Sequence, residues 1–582
     1  MTYPTSYGEK LSELRALMAK EGVDGFLVPR TDEYQGEYVP AGAERLAWLT
    51  GFTGSAGLAV ILADRAMVMS DGRYTIQLAA QVDQDLYELE NSQKVKPEEW
   101  LLENTEEGEV IGYDPKLHTP AQIEAKEKSG LILKAVSQNL IDKIWMDKPA
   151  PPMEKIVLFP EKYAGQSADK KIDIIRKQMA KNKAEALILT MSDSIAWLLN
   201  IRGHDIPHIP VALSYLILPI EGKAKWYVNE KKLTQEVKEA LEDIVEFSAE
   251  ENLAADLAQI TETVWLDPKR SSIWFKKILQ KAGAKIIAQD DPCIMPRACK
   301  NEAEQQAMKA AHIRDGVALV NFLKWFEETN EGQTELSVEE KLESFRAQAS
   351  EYKEASFSTI AGYGSNGAIV HYRANEKTSK NIEAGSLLLL DSGAQYEDGT
   401  TDITRTLAVG SPTDEMKENF TLVLKGHIAL ASAKFVKGTT GKKLDQLARK
   451  PLQDKGLDYA HGTGHGVGCY LSVHEEAASI SPRGEEPLRV GMIISNEPGF
   501  YKEGEYGIRI ENLVLVQEAE DGELYFETIT LCPIDKKMIV VDMLDEKEKT
   551  WLNEYNARVY ETLLPLLDQS TAAWLKEATK AV

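Results

Sequence analysis

Four carboxylates in the last third of the chain sit where antiparallel hairpins bring side chains together. Asp391 closes the apolar run LLLLD, the pattern of a strand buried on both faces, and Asp402 follows it past the turn pair Asp398-Gly399. A strand, an Asp-Gly turn and a second strand make a hairpin. Downstream, Glu497 closes GMIISNE and Glu511 lies in GIRIENLVLV, with Glu503, Gly504 and Gly507 in the turn region between them. Within IRIE, Arg509 and Glu511 are two apart and share a face, while Ile508 and Ile510 face the core. Four ionised carboxylates in one place repel, which raises their pKa and costs stability. A pair of divalent cations removes that conflict, and nothing else in the sequence supplies enough positive charge there.

A nitrogen ligand is available from HGTGHGVG, which sets His461 and His465 among Gly462, Gly464, Gly466 and Gly468. So many glycines disfavour a helix. Position 462 is not Glu, so the segment is not a zincin HExxH, and its glycines do not fit GxGxxG. Their expected role is to let the backbone approach a metal or substrate closely. With His371 in GAIVHY and His474 in YLSVHE, four of the nine histidines fall in this region. Taken singly, each residue reads as a turn, cap or structural side chain. Two carboxylate hairpins flanking a glycine-histidine loop read jointly as a dinuclear metal site. The glycine-rich segments lack a GKS/T, which argues against a nucleotide enzyme.

The elements around these residues are helices and antiparallel hairpins, an α+β arrangement. Asn301 with Glu304 caps a helix whose stripe is Ile313, Val317, Val320 and Leu323. A further helix is expected from Ser411-Pro412 to about Gly438, and a helical tail from about 547. Upstream, residues 12–20 read as helix, and GFLVP and LAVIL as buried strands. The proline-rich DKPAPPMEK at 147–155 suits a linker. DGFLVPRTDEYQGEY…RLAWLTGFTG and EALILTMSDSIAWLLNIRG share a strand, a polar turn and an Ala-Trp-Leu segment, which points to a duplicated α/β module.

At 582 residues and 43% hydrophobic content, two to four domains are expected. The net charge of -25 argues against nucleic acid as a partner. Cys293, Cys299, Cys469 and Cys532 form no CxxC pair and read as reduced thiols of a cytosolic protein. The N-terminal stretch carries no apolar leader, and no apolar run approaches the roughly 18 residues of a membrane span.

Residues 300 to 582 resemble the pita-bread metallopeptidases, the group of methionine aminopeptidase, prolidase and aminopeptidase P. The segments SFSTIAGYGSNGAIVHY, LLLLDSGAQYEDGTTDITRT, HGTGHGVG, NEPGFY and GIRIEN look like aminopeptidase P. TDEYQGEYVP, GFTGSAG, DGRYT, AWLLNIRG and WLNEY extend the likeness to its three-domain cytosolic form. The resemblance implies two tandem creatinase-like α/β domains, 1–150 and 151–299, followed by a pita-bread α+β catalytic domain, 300–582. It implies five metal ligands, Asp391, Asp402, His465, Glu497 and Glu511, with Asp402 and Glu511 bridging two divalent ions. Manganese is the family's usual metal, with cobalt or zinc as substitutes. Glu497 is the implied base and proton shuttle around an activated water. His371, His461 and His474 are the implied substrate-binding groups, and Arg509 orients carboxylates or contacts substrate. The implied activity is removal of the residue ahead of a proline at the N-terminus of a peptide, in a cytoplasmic homodimer. The alternative is a prolidase, confined to Xaa-Pro dipeptides. A metal-free binding protein or a creatinase-type enzyme on the same fold would lack the ligands.

Overall fold

The computed structural model describes residues 6–582. Two compact units are present, one of residues up to 161 with 166–294, the other of 162–165 with 295–582. The first unit holds two six-stranded sheets of the same topology. One runs Glu88–Asn91, Ala66–Ser70, Leu58–Leu62, Gly25–Pro29, Val110–Tyr113, Ile132–Ala135. The other runs Val245–Ser248, Ala224–Tyr227, Tyr215–Pro219, Ala186–Leu189, Thr263–Leu266, Lys285–Ala288. In both, the central strand is a buried apolar run, GFLVP or ALIL, paired antiparallel to one neighbour and parallel to the other. The short sequence repeat therefore corresponds to a repeated sheet.

The second unit opens with α1 (Glu302–Thr329), started by the Asn301–Glu304 capping box, followed by α2 (Glu335–Arg346). Leu319, Phe322, Leu323 and Phe326 of α1 pack on one face of β2 (Ser386–Ser392), against Leu388 and Leu390. Leu387 and Leu389 on the other face feed two further clusters. An unbroken leucine run serves a strand covered on both faces. β2 is central in a sheet with β1 (Ile360–Tyr363) and β3 (Ile403–Val409).

The following helix, α3, spans Asp414–Ala431, not Ser411 to Gly438. Thr413 is the cap, its hydroxyl accepting the Met416 N–H at 3.2 Å, and Asp414 and Glu415 occupy the first turn where the dipole favours them. Beyond Ala431 the chain turns into Lys434–Phe435, which pairs with Leu524–Thr528 at a sheet edge; tertiary pairing ends the helix early.

The segment GIRIENLVLV is two strands rather than one. β6 (Gly499–Lys502) and β7 (Tyr506–Arg509) form a ribbon of their own, whereas β5 (Ile493–Asn496) and β8 (Asn512–Glu518) belong to a six-stranded sheet with β4 (Gly464–Gly466). The chain breaks at Ile510–Glu511. β7 lies so close to residue 367 that a Cβ on Gly507 would overlap the Gly367 carbonyl oxygen. Gly507→Ala is expected to lose about 3 kcal/mol by overpacking; an unchanged denaturant midpoint would show that the two segments move apart freely.

Candidate metal centre

The two ladders set the carboxylates. Asp391 of β2 pairs with Thr404 of β3, which makes Asp402 its diagonal neighbour on the same face. Asn496 pairs with Asn512 and Gly499 with Arg509, so Glu497 stands across from Glu511 in the gap between the ladders. A gap at that point frees both carboxylates from strand geometry. Glu511 is anchored on one side only: its backbone N–H donates to Thr404 O at 3.1 Å and its Oε2 accepts from Thr404 Oγ1 at 2.8 Å.

His465 enters from β4. Its backbone N–H donates to Ser495 Oγ at 3.0 Å, and that hydroxyl donates to Glu497 Oε1 at 3.1 Å. Its Nδ1 is 3.0 Å from the Gly466 carbonyl, which only accepts, so Nδ1 carries the proton. Nε2 then faces Asp402 Oδ2 at 3.4 Å and Glu497 Oε1 at 3.5 Å. Donor atoms of Asp402, His465 and Glu511 all lie within 4.8 Å of one another. The neighbouring glycines have a reason different from the one expected. A Cβ at Gly464 would overlap Ser495 O, and one at Gly466 would crowd Glu475 O. They allow adjacent strands to close up on either side of His465.

Arg509 answers the acid side. Its guanidinium donates to Asp391 Oδ2 at 2.6 Å, Tyr501 OH at 2.6 Å and Thr404 Oγ1 at 3.1 Å. His461 is held by the Gly462 carbonyl at Nδ1 (2.7 Å) and by Tyr501 OH at Nε2 (2.8 Å), with Nδ1 at 4.0 Å from Glu497 Oε2. The His474 ring stands edge-on to His465, centroids 4.4 Å apart. The structure thus gathers Asp391, Asp402, His461, His465, His474, Glu497, Arg509 and Glu511. His371 comes on a separate half-buried turn, after Gly364–Ala368. Its neighbour Tyr372 belongs to a buried cluster with Ile360 and Leu389, against which Ile369 and Tyr501 both pack. Tyr501, Thr404 and Ser495 were not singled out from the sequence. Tyr501 stands in the NEPGFY segment and was within reach; Thr404 and Ser495 contact the site only through pairing across the sheets.

The electrostatics follow from burial and crowding. Burial and the Asp402 and Glu497 charges outweigh Arg509 and push Asp391 up to about 6. Burial and the charges of Asp402, Glu497 and Asp391 hold Glu511 well above the usual carboxylate range. Burial opposes the charge on His465, yet Asp402 and Glu497 raise it to about 9. For Glu497 burial is outweighed by the positive charges beside it, that of His465 first and that of Arg509 with it, and its pKa is lowered. Burial drives His461 down to about 4. Asp391 Oδ1 and Glu511 Oε1 are buried without a hydrogen-bond donor. Orphaned carboxylate oxygens around an imidazole Nε2 are the donor set a divalent cation takes. One arginine and one imidazolium do not neutralise four acids.

A pH dependence follows. A metal held by Asp391, His465 and Glu511 would compete with their protons, Asp391 titrating at about 6, His465 at about 9 and Glu511 well above the usual carboxylate range. Metal affinity is expected to rise from pH 6 to pH 9, with at least about one proton released at pH 7, from His465 and from Glu511. Calorimetry in buffers of different ionisation enthalpy counts the protons released in total. Buffer-independent heats would show that His465 is not a ligand.

A family model described as metallopeptidase family M24 matches residues 306–518, and its C-terminal region matches 522–582. Two models of the creatinase/prolidase N-terminal domain match 10–143 and 147–304. A probable Xaa-Pro aminopeptidase P of Paracoccidioides brasiliensis (strain Pb03) is 39% identical over 99% of this chain and 99% of its own. The chain belongs to the aminopeptidase P family. Its fold is accordingly two creatinase-type N-terminal domains and a pita-bread metallopeptidase domain. Another aminopeptidase P relative, from Aspergillus niger, is 40% identical over 99% of this chain and 98% of its own. An X-prolyl aminopeptidase of Caenorhabditis elegans, described as a cytosolic enzyme with a di-nuclear active site, covers 100% of both chains at 33% identity and TM-score 0.95. The prolidase of Pyrococcus furiosus covers 61% of this chain and 98% of its own at 28% identity and TM-score 0.52.

Proposed function

We propose that this aminopeptidase P family chain is a two-metal enzyme that hydrolyses the bond between an N-terminal residue and a following proline. The cluster of buried carboxylates around His465 Nε2, two of their oxygens without a donor, carries the reading. Asp391, Asp402, His465, Glu497 and Glu511 would hold the two ions. An oxygen-rich set with one nitrogen favours a hard cation, and manganese is our assignment, ahead of cobalt or zinc. When bound, the pair supplies a water that ionises near neutral pH and polarises the scissile carbonyl.

The chain's own groups do the rest. Glu497, its pKa lowered, is ionised at neutral pH and accepts the water's proton, then delivers it to the leaving nitrogen. Ser495 fixes Oε1 of that carboxylate, which leaves Oε2 for the transfer. The proline nitrogen is a tertiary amide without N–H, so the delivered proton is what turns it into a leaving amine. His461 is neutral and aligned by Tyr501, and with His371 and His474 it binds the substrate. Arg509 keeps Asp391 turned toward the site.

The test is release of Xaa from Xaa-Pro-Yaa with added manganese. Turnover about 100-fold or more above Xaa-Ala-Yaa is expected. Cleavage of the Xaa-Pro dipeptide alone would make the enzyme a prolidase, and no turnover of either would end the proposal. The same reading divides the chain at 1–150, 151–299 and 300–582, supported by the matched ranges. It places the enzyme in the cytosol, supported by four cysteines that form no disulfide among the described residues and by the cytosolic description of the C. elegans enzyme. Among the described residues no helix is long and apolar enough to cross a membrane. A homodimer is part of the reading, to be checked by sedimentation.

A further inference from the structure

One buried carboxylate in this unit touches none of the proposed ligands. Glu335, the first residue of α2, is 0% exposed. It accepts from Tyr363 N–H at 2.7 Å, Lys380 N–H at 2.9 Å, the Tyr372 hydroxyl at 2.8 Å, and the Asn366 amide at 3.0 Å from both of its oxygens. Two backbone N–H groups, an amide and a phenol thus solvate the charge. The Lys380 ammonium does not join them; it donates to Ser365 Oγ. Glu339, one turn further along α2, is pushed up to about 8 by burial and by the neighbouring Glu335.

What these donors share is their place in the chain. Asn366 lies five residues before His371, Tyr372 immediately after it, and Lys380 closes the same excursion. Asn366 O and Ile369 O take the N–H groups of Ile369 and Tyr372, which makes the intervening chain two consecutive tight turns. Asn366 and the Tyr372 hydroxyl also bond each other at 2.9 Å, and both reach Thr378 O. The Tyr372 hydroxyl has one proton, and its shortest acceptor contact is Glu335 Oε2 at 2.8 Å, against 3.0 Å and 3.1 Å to Thr378. On the far side, Gly367 lies against Gly507 of β7, the strand that carries Arg509. Tyr501, the partner of His461 and Arg509, packs against the cluster containing Tyr372.

We infer that Glu335 is a positioning residue: it gathers Asn366, Tyr372 and Lys380 so that the turn between them presents His371 to the reacting peptide. The inference rests on the reading of His371 as a substrate-binding group. It goes beyond that reading in assigning the group that sets the histidine's placement. Glutamine in place of Glu335 keeps shape and volume but turns an N–H₂ toward groups that are themselves donors. At least one of the four must let go. A displaced turn moves His371 by a fraction of an ångström to an ångström, enough to cost turnover without touching the metal ligands.

The experiment is a double-mutant cycle on the manganese-loaded full-length enzyme with an Xaa-Pro-Yaa peptide, combined with metal analysis. His371→Ala and Glu335→Gln are each expected to lose about 100-fold in kcat/KM, with metal content unchanged. The double variant Glu335→Gln/His371→Ala is expected to match His371→Ala within about 2-fold, because a group acting through His371 has nothing left to position. Tyr372→Phe removes one donor and gives a smaller loss that vanishes in the His371→Ala background in the same way. It carries the cycle should Glu335→Gln fail to fold. Losses that multiply in the double variants would overturn the inference, as would a Glu335→Gln enzyme with ordinary kinetics or with metal missing. Should His371→Ala be as active as the wild type, the reading of His371 fails and the inference with it. That outcome is distinct from a cycle in which His371→Ala is impaired and Glu335→Gln acts independently.

Discussion

Glu511→Gln is expected to give a protein at least as stable as the wild type without metal, and without useful activity. The side chain is 1% exposed, one of its oxygens has no donor, and Asp402, Glu497 and Asp391 all disfavour its charge. A carboxyl whose folded pKa is raised costs stability once the pH exceeds its unfolded value of about 4.3, and the cost grows until the folded pKa is reached. Glutamine removes that cost and keeps the acceptor for Thr404 Oγ1. The stability difference between variant and wild type, both metal-free, should therefore widen as pH rises above about 4.3. Activity goes the other way. A neutral amide is a poor ligand in a set proposed to hold two cations, so metal content falls and kcat/KM drops by at least about 10³-fold, roughly 4 kcal/mol of transition-state stabilisation. A site made for function that is a burden to the empty fold is the usual trade between stability and activity. Two equivalents of manganese retained, with turnover within tenfold of the wild type, would remove Glu511 from the ligand set.

The strands that carry the site were legible because their patterns are local. A run of four leucines ending in Asp391 marks a doubly covered strand, and Asp398-Gly399 marks the turn that returns the chain past Asp402. The alternation Ile508, Arg509, Ile510, Glu511 gave the right faces even though the strand stops after Arg509. The register continues across the gap, Asn496 with Asn512 and Gly499 with Arg509, so the period of two survives. The limits of α3 were not legible. Pro412 falls before the cap instead of just after it, and the helix ends where Lys434–Phe435 finds a strand partner about ninety residues away. Nor was the Glu335 cluster. An isolated glutamate at the start of an amphipathic helix looks like a first-turn acid. Its five acceptor contacts come from residues 28 to 45 positions downstream, which no periodicity encodes. The hydroxyls of Thr404 and Ser495 escape for the same reason. Ligands announce themselves by type and spacing, whereas the groups that aim them are set by packing.

Arg509→Met tests that second kind of residue where its effect on the fold is largest. Arg509 is among the largest fully buried side chains, and its guanidinium forks between Asp391, Tyr501 and Thr404. Methionine fills much of the space and leaves Asp391 as a buried carboxylate with no cation beside it. Breaking a buried pair from one side costs about 3–5 kcal/mol, most of it for the stranded partner. That partner can escape by taking a proton. With Arg509 present, Asp391 is already pushed up to about 6; without it the pKa rises further. The stability deficit of the metal-free variant should thus be largest near pH 8 and shrink as the pH is lowered to 5, since protonation removes the stranded charge. Saturating manganese should also narrow the deficit, because a cation at Asp391 replaces the one deleted. Arg509→Lys keeps the charge but not the fork, so it should recover part of the stability while Tyr501, and with it His461, loses its alignment. Chemical denaturation at pH 5 and pH 8, with and without manganese, distinguishes the cases. A deficit that is the same at both pH values and indifferent to metal would mean that Arg509 contributes packing alone, and that the acids of this site are balanced by some other group.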